Sequence, residues 1–356
     1  MVDDILEGHE SRLSRSEIRS LLLKAGWPSN LVQKYLSKVK PAEGAILHIH
    51  GISKSFNGTP VIESADFDVN KGEIFGIIGM SGAGKTTLLN LLVGFLKPDQ
   101  GDVVFTLPDN SNISIVKQTD LVKKFFGFST QSPSFYPKLT VIENLEHFGT
   151  LAGIPERKIR TRAKELLRLV GLSPAQDVIA EKLSGGMQKR LDIACALMHN
   201  PEVLILDEPT ADLDPIMRKQ LWQLIKDINK AGTTIILASH FLAEIELLCT
   251  RIGILQNHSI IEVGTADQLR SIYSRNFELR FESDSHDYKQ LLSNLRHKAS
   301  FFSNASVEND ELIIETAFPE RVLPVVSKFI SKHDGLRNLS VARPSLGKVF
   351  ETLVKK

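Results

Sequence analysis

The segment GMSGAGKTT, from Gly79 to Thr87, has the residue types of a loop that binds phosphate. Gly79, Gly84, Lys85 and Thr86 match the pattern G-x-x-x-x-G-K-T. The glycines allow backbone N–H groups to approach phosphate oxygens, and a helix that starts near Lys85 adds its positive end. In such a loop the lysine bridges the β- and γ-phosphates and the threonine hydroxyl binds Mg²⁺. We therefore predict that the whole loop holds a nucleotide, through Gly79, Met80, Ser81, Gly82, Ala83, Gly84, Lys85, Thr86 and Thr87.

Two carboxylates follow the apolar run VLILD, which predicts a buried strand over 203–207. Ligands of open α/β sheets bind at the carboxyl ends of the strands, where Asp207 and Glu208 are found. Asp207 is suited to bind Mg²⁺, directly or through water. Glu208 lies one residue further on, where a carboxylate can act as general base on an attacking water. Together with the glycine loop, this pair predicts hydrolysis of a nucleoside triphosphate.

A second glycine-rich segment, LSGGMQKR over 183–190, leads into the helical stretch RLDIACALMHN. Its Ser184, Gly185 and Gly186 open the helix and so form a second anion site. One chain that holds one triphosphate has no use for a second cradle nearby. Two chains arranged head to tail do, because each can lay these residues on the γ-phosphate held by the other. We therefore predict that ATP is trapped between two such chains.

Alternating strands and helices surround these motifs. The segments ILHIHGISKSF and VIESADFDVN alternate apolar and polar residues, as half-buried strands do. The short apolar segments GEIFGIIG, VLILD and TTIILASH indicate buried strands that are linked by helical stretches. GEIFGIIG leads directly into the glycine loop, and TTLLNLLVGFL is predicted to be the helix after it. This alternation predicts a mostly parallel sheet covered by helices.

The two ends of the chain differ from this pattern. Residues 1–42 are predicted to form a small helical module, because Ser14 and Glu17 have capping-box spacing. After about residue 271 the order of segments is β-α-β-β-α-β, the ferredoxin-like plan, followed by a final helix, SLGKVFETLVKK. We therefore predict three parts: the helical module over 1–42, a nucleotide-binding domain over 45–270 and a ferredoxin-like regulatory domain over 275–356.

Between about residues 45 and 267 the sequence resembles the ATP-binding-cassette (ABC) transporter ATPases, through the GKT loop, VLILDEPT and LSGGMQKR. The resemblance implies an α/β P-loop NTPase core with a helical signature subdomain, and ATP and Mg²⁺ as cofactors. It implies that Phe56 stacks on adenine and that Gln131 reaches Mg²⁺ and the attacking water. It also implies that His240 contacts the γ-phosphate and steadies the water, and that Asp214 lies in a loop crossing the dimer interface.

The complete set of residues to which the resemblance assigns chemistry is small. The catalytic residues it implies are Lys85, Gln131, Glu208 and His240, and the Mg²⁺ ligands are Thr86, Gln131 and Asp207. Two features depart from the family pattern. Asp212 stands where relatives commonly have glycine. It adds a carboxylate near the crossing loop, so the sequence alone does not determine whether this loop keeps the conformation usual in relatives. Met80 and Ser81 replace a proline and an asparagine common among exporters, although the chemistry of the loop does not depend on either side chain.

Composition limits where the chain works and what it binds. Its 356 residues include 43 Lys and Arg and 42 Asp and Glu, a net charge of +1, so we expect no nucleic-acid partner. No apolar run approaches the roughly 18 residues of a membrane span, and the polar start MVDDILEGHESRLSR differs from a signal peptide. Cys195 and Cys249 lie in apolar segments, which favours buried free thiols in a reducing compartment. We predict a cytoplasmic protein, peripheral on the inner face of the cell membrane.

The favoured function is to drive transport through a separate integral membrane permease that docks near the Gln131 loop. The functional pair is a homodimer or a heterodimer with a paralogue. The tail RPSLGKVFETLVKK resembles the C-terminal domain of the drug, antibiotic and polysaccharide exporter branch, which favours export, with import as the alternative. A soluble translation-associated ATPase usually carries two cassettes. In a DNA-associated ATPase, a long coiled coil separates the glycine loop from the serine-glycine segment. Lys85 and Ser184 lie too close in this sequence to leave room for one. The cargo is not indicated.

Overall fold

The computed structural model describes Leu22, Trp27 and residues 44–273, followed by 276–284, 288–296, 304–308, 310–333, 335–348 and 350. The chain divides into two compact units, Met1–Gly264 and Thr265–Lys356. Apart from Leu22 and Trp27, the helical module predicted over 1–42 lies outside the described residues, as does most of the end of the predicted final helix. The domain limits proposed from the sequence, 45–270 and 275–356, stay predictions.

The described part of the first unit contains ten strands and seven α-helices. In chain order they are β1 (Ala45–Phe56), β2 (Thr59–Asn70), β3 (Ile74–Ile78), α1 (Lys85–Leu92), β4 (Gln100–Thr106), β5 (Asn112–Ser114), α2 (Thr119–Val122), β6 (Phe126–Ser129), α3 (Val141–Leu151), α4 (Glu156–Leu169), α5 (Gly185–Ala196), β7 (Val203–Asp207), α6 (Pro215–Lys230), β8 (Thr234–Ser239), α7 (Leu242–Leu248), β9 (Arg251–Gln256) and β10 (Ser259–Gly264). Short 3₁₀ turns lie at Lys123–Phe125, Ser173–Ala175 and Ala180–Lys182.

A six-stranded sheet forms the centre of this unit, with the order β10-β9-β3-β8-β7-β6. The strands from β9 to β6 pair in parallel, and β10 is antiparallel at one edge. Every residue of β3, β7 and β8 is buried, which explains why these segments are apolar runs without alternation. Because β3, β8, β7 and β6 are consecutive neighbours and point the same way, the segments that follow them meet at one edge of the sheet.

A second sheet, antiparallel with the order β2-β1-β4-β5, packs into the same hydrophobic core. Its buried Phe67 stacks on Phe75 of the parallel sheet, with ring centroids 5.2 Å apart. The helix after the glycine loop, α1, buries its leucines in this core and ends at Leu92. It is shorter than the predicted stretch, because Gly94 adopts a left-handed φ of 74° that ends the helix.

The second unit begins with α8 (Ala266–Tyr273) and continues with β11 (Phe277–Ser283), α9 (Lys289–Arg296), β12 (Asn304–Glu308), β13 (Glu311–Thr316), α10 (Pro319–His333) and β14 (Leu336–Ala342). Its antiparallel sheet has the order β12-β13-β11-β14. Phe281 and Leu312 lie in a small separate core, against which α9 and α10 pack. The predicted ferredoxin-like order is therefore confirmed.

Two expectations from composition can be compared with the described residues. In that part of the chain no helix combines the length and the apolar character that crossing a bilayer requires. Both cysteines are free thiols, as expected. Cys195 is buried, whereas Cys249, which follows the last residue of α7, is partly exposed. The sulfur of Cys249 nevertheless packs against Gly76 of β3, and removal from water raises the pKa of both thiols, which keeps them protonated.

Candidate active site

A cleft of about 370 Å³ lies at the edge of the parallel sheet where β3, β6, β7 and β8 end. Nine residues selected from the sequence line it, together with one that was not selected. These are Ser81, Gly82, Gly84, Lys85, Thr86, Thr87, Gln131, Glu208 and His240, and in addition Val61. The topology therefore brings together nine selected residues from four segments of the chain, as the strand–loop pattern predicts, and Val61 from a fifth.

The glycine loop passes from β3 into α1 and needs its glycines for two different reasons. Gly84 is the N-cap of α1 and has a φ of 101°, which other residues rarely adopt. A Cβ at Gly79 would lie 2.7 Å from the carbonyl oxygen of Leu255 on the neighbouring strand. The Lys85 ammonium donates to the carbonyl oxygens of Gly79 and Met80, at 3.0 and 3.3 Å. The backbone of the loop, the N-terminus of α1 and the charge of Lys85 thus lie at the same cleft.

Thr86 and Asp207 form a pair of oxygen ligands behind this loop. The Thr86 hydroxyl donates to Asp207 Oδ2 at 2.7 Å, and Asp207 Oδ1 is buried without a hydrogen-bond partner among the described residues. Burial raises the pKa of Asp207, and the hydrogen bond from Thr86 opposes this shift. A buried carboxylate oxygen without a partner fits a hard divalent cation. In the described part of the chain, no group of three or more His, Cys, Asp or Glu side chains could hold a metal ion by itself.

Glu208 lies between a lysine and a histidine. Its Oε1 is 3.2 Å from Lys85 Nζ, and its Oε2 is 2.8 Å from His240 Nδ1. The backbone N–H of His240 also donates to Oε2, at 3.3 Å. Glu208 itself has a left-handed φ of 46°, an unusual conformation for a residue with a side chain. The turn after β7 therefore directs the carboxylate into the cleft, beside the residue that follows β8.

Phe56 and Val61 belong to the neighbouring strands β1 and β2, and only Val61 lines the cleft. Phe56, at the end of β1, is 43% exposed and lies outside the residues that line the cleft. The Lys54 ammonium sits 5.6 Å from its ring centroid. Val61 of β2 does line the cleft, and sequence reasoning missed it. A valine in an alternating strand is normally assigned to the core, so the sequence carried no signal for this position.

The serine-glycine segment lies away from the cleft. Ser184 is the N-cap of α5, but its side chain makes no capping hydrogen bond. Gly185 begins the helix, and a Cβ on Gly186 would lie 3.0 Å from Met217 Sδ on α6. None of the three residues lines the cleft that holds Lys85. The role of the first turn of α5 as a second anion site stays a prediction.

The loop between β7 and α6 contains two aspartates with different environments. Asp214 is the N-cap of α6, and its Oδ1 accepts hydrogen bonds from the N–H groups of Ile216 and Met217, at 2.9 and 3.0 Å. Asp212 is exposed and has a φ of 62°. This is the left-handed region that glycine favours and that aspartate also tolerates. The aspartate therefore adopts the conformation that a glycine commonly supplies there.

A buried carboxylate that the sequence did not single out lies behind the catalytic edge. Glu244 of α7 is fully buried, and its Oε1 accepts a hydrogen bond from the Trp222 indole at 3.0 Å. Burial raises the pKa of Glu244 above its ordinary value of 4.5; hydrogen bonds from Ser239, Thr210 and Trp222 oppose the shift, and the charge on Glu208 adds to it. Above pH 4.5 the unfolded chain therefore releases this proton before the folded chain does.

Replacing Glu244 with glutamine should stabilise the fold at neutral pH. The folded wild-type chain binds more protons than the unfolded one between pH 4.5 and the raised pKa, so its stability falls as the pH rises through that window. The variant should not lose stability in this window. Its free energy of unfolding at neutral pH should exceed that of the wild type by about 1.4 kcal/mol for each pH unit by which folding raises the pKa of Glu244. Urea unfolding of both proteins from pH 4 to 8 measures the difference. Glu246→Gln on the same helix is the control, and an equal pH dependence for wild type and Glu244→Gln would contradict the prediction.

Comparison with known proteins supplies the family. The model of the ABC transporter family matches residues 62–211, which include the glycine loop, Gln131, the serine-glycine segment and Glu208. The linearmycin resistance ATP-binding protein LnrL of Bacillus subtilis (strain 168) is 32% identical over 313 residues, covering 86% of this chain and 98% of LnrL. This chain belongs to the ABC transporter family. It is one of the ATP-binding subunits that hydrolyse ATP for a transporter.

Another relative and a solved structure agree with this assignment of the ABC transporter ATPase. The daunorubicin/doxorubicin resistance ATP-binding protein DrrA of Streptomyces peucetius is 32% identical over 310 residues, covering 85% of this chain and 90% of DrrA. The dimeric, post-hydrolysis structure of the ATP-binding cassette MJ0796, bound to ADP and Pi, covers 62% of this chain and 98% of that one. It shares 27% identity, with a TM-score of 0.55. The α/β P-loop core predicted from the sequence is thus confirmed.

Proposed function

We propose that two copies of this chain, or this chain and a paralogue, bind two ATP molecules between them and close on each other in every transport cycle. The observation that carries this proposal is the separation of the cleft from the serine-glycine start of α5. The cleft holds Lys85, Thr86 and Glu208, whereas Ser184 begins α5 outside the residues that line that cleft. A helix N-terminus with an uncapped serine favours a phosphate supplied from elsewhere. The γ-phosphate held by a facing subunit meets that requirement.

In the closed pair, the residues of the cleft divide the work of hydrolysis. Lys85 neutralises charge on the β- and γ-phosphates, Val61 lines the cleft beside Gly84, and Phe56 stacks on adenine. Glu208 accepts the proton of the attacking water, and His240, 2.8 Å from Glu208, orients that carboxylate and the water. Gln131 lines the same cleft from the end of β6 and positions the water from its other side. Positioning and charge neutralisation account for most of the rate in such a reaction.

Mg²⁺ fits the oxygen ligands of this site. Asp207, whose Oδ1 has no hydrogen-bond partner among the described residues, would hold it together with Thr86 and Gln131. When bound, the ion supplies charge neutralisation on the phosphate oxygens. Two of the residues that would hold the ion lie side by side, since Thr86 and Asp207 are joined by a 2.7 Å hydrogen bond.

The membrane partner of a transporter ATPase is its permease, and we propose that it docks beside the Gln131 loop. One exposed aromatic side chain follows that loop in the sequence, and another packs against β6, which leads into the loop. Tyr136 is 47% exposed and packs edge-on against His147, with ring centroids 4.6 Å apart, and Phe95 is 55% exposed and packs against Phe128 at 5.5 Å. Large exposed apolar side chains in a group are typical of protein contacts. Docking there places the chain in the cytoplasm, on the inner face of the membrane.

We propose export as the direction of transport. LnrL and DrrA are named for resistance to antibiotics, and their alignments, over 313 and 310 residues, are longer than the first unit, which ends at Gly264. The similarity therefore extends into the ferredoxin-like unit, which we propose to be a regulatory domain. That unit lies outside the catalytic core, so its similarity to LnrL and DrrA goes beyond what ATP hydrolysis requires. This additional similarity favours the exporter branch over an importer.

Deleting the gene for this chain should make its host several-fold more sensitive to at least one antibiotic in a panel that includes linearmycin and daunorubicin. An exporter lowers the concentration of its cargo inside the cell, and this work needs ATP hydrolysis. The minimum inhibitory concentrations of wild-type and deleted cells measure the effect. A plasmid with the wild-type gene should restore resistance, and one with Glu208→Gln should not. Unchanged sensitivity to every compound, or a nutrient requirement in the deleted strain, would contradict export.

A further inference from the structure

Helix α5 begins with the serine-glycine segment and is called the signature helix below. Two of its buried side chains hold the loop that carries Gln131. Lys189 and Asp192 are three residues apart on the same face of α5, and both are buried. Neither belongs to the set of residues assigned to nucleotide or Mg²⁺. We call this pair the α5 clamp.

Asp192 binds the loop on both sides of Gln131. Its Oδ2 accepts a hydrogen bond from the Ser129 hydroxyl at 2.5 Å. Its Oδ1 accepts hydrogen bonds from the backbone N–H and the hydroxyl of Ser134, at 2.7 and 2.6 Å. One fully buried carboxylate thus joins the last residue of β6 to a residue beyond Gln131. Hydrogen bonds to a charged group are among the stronger ones, so these three contacts fix the width of the loop.

Lys189 holds the residue directly before Gln131. Its ammonium donates to the carbonyl oxygen of Thr130 at 2.7 Å, and the residue is only 8% exposed. Burial lowers the pKa of Lys189, and the charges on Asp192, Asp207 and Glu244 oppose that shift. A lysine kept this far from water needs a specific polar partner. The Thr130 carbonyl is that partner, so its orientation, and with it the peptide that leads into Gln131, is set from α5.

We infer that Lys189 and Asp192 are positioning residues, which fix the Gln131 loop to the signature helix so that the glutamine and the Ser184–Gly186 cap move together. This inference rests on the proposed function, because it acts through the role of Gln131 at the nucleotide. In the closed pair, the N-terminus of α5 contacts one nucleotide while Gln131 of the same chain contacts the other. The α5 clamp sets the distance between those two contacts.

A double-mutant cycle between Lys189 and Gln131 tests the inference on the full chain. Lys189→Met removes the donor to Thr130 and keeps a long apolar side chain. It should lower kcat of the Mg-ATPase about tenfold or more, because small misplacements of catalytic groups have effects of that size. KM for Mg-ATP should change much less, since Lys189 does not contact nucleotide. Lys189→Arg keeps a donor and should recover most of kcat.

The decisive measurement is Lys189→Met in the Gln131→Ala background. If Lys189 acts through Gln131, the second substitution should change kcat by no more than about twofold, whereas independent effects multiply. Ser134→Ala removes one hydroxyl from Asp192 at the exposed end of the loop, and it serves if Lys189→Met does not fold. It should lower kcat by a smaller factor, which should also vanish in the Gln131→Ala background.

The outcomes separate this inference from the proposed function. If Gln131→Ala alone leaves kcat and KM unchanged, the role proposed for Gln131 is wrong and the inference is overturned with it. If Gln131→Ala lowers kcat but Lys189→Met keeps its full effect in that background, only the inference is overturned. Loss of the Lys189→Met effect in that background, together with recovery by Lys189→Arg, supports it.

Discussion

Replacing Glu208 with glutamine should lower the Mg-ATPase rate by about 10²-fold or more, the loss expected when a general base is removed. Glutamine has the size of glutamate and its carbonyl oxygen can still accept the N–H of His240, but it cannot take a proton from water. ATP binding should therefore persist while hydrolysis stops. Since the proposed ATP-bound pair opens on hydrolysis, the variant should accumulate as a dimer in saturating Mg-ATP. Steady-state phosphate release and light scattering measure the two effects.

A second substitution in the same background provides a matched control. Adding Ser184→Arg to Glu208→Gln places a bulky side chain at the N-terminus of α5, outside the cleft that binds ATP. This double variant should still bind ATP and should remain monomeric. Turnover of Glu208→Gln at the parent rate would show that another residue is the base. A monomeric Glu208→Gln chain in saturating Mg-ATP would argue against the sandwich itself.

Replacing Lys85 with alanine should weaken ATP binding by about 10- to 100-fold, because a hydrogen bond to a charged group contributes roughly 1.5–3 kcal/mol. The ammonium is nearly buried and reaches the carbonyl oxygens of Gly79 and Met80 and the Glu208 carboxylate. Its removal therefore takes the positive charge out of the phosphate site. Calorimetric titration with Mg-ATP in the Glu208→Gln background measures affinity without turnover.

The control for this prediction is Lys97→Ala, which removes an exposed lysine a few residues beyond α1. It should bind ATP as the parent does. Thermal unfolding of Lys85→Ala distinguishes lost binding from lost structure, since the lysine also holds two carbonyl groups of its own loop. An unchanged affinity in a folded Lys85→Ala chain would show that the glycine loop is not the phosphate site.

Local patterns predicted the elements of this fold well wherever burial is complete. The run VLILD became β7 with the same limits, because a parallel strand covered on both faces needs apolar residues throughout. The C-terminal order β-α-β-β-α-β also became a sheet, β12-β13-β11-β14, although β12 is only partly buried and β14 is exposed; there the order of the segments carried the prediction. The end of α1 was predicted less well. A continuous apolar stretch hid the left-handed Gly94, whose conformation depends on its packing beside Thr119, where a Cβ would lie 2.7 Å from that side chain.

The sequence by itself determined which residues can bind phosphate and Mg²⁺ and which can move a proton, because that chemistry depends on residue type and close spacing. Gly79 to Thr87, Asp207 and Glu208 could be selected in this way. Only the tertiary structure decided which distant residues meet. Sequence separations of 22 to 63 positions divide the partners in the contacts of Glu244 with Trp222 and of Lys189 and Asp192 with the Gln131 loop. Val61 likewise reaches the cleft from a different element than the glycine loop. Such contacts depend on how helices and strands pack, and a single sequence carries no local pattern that records them.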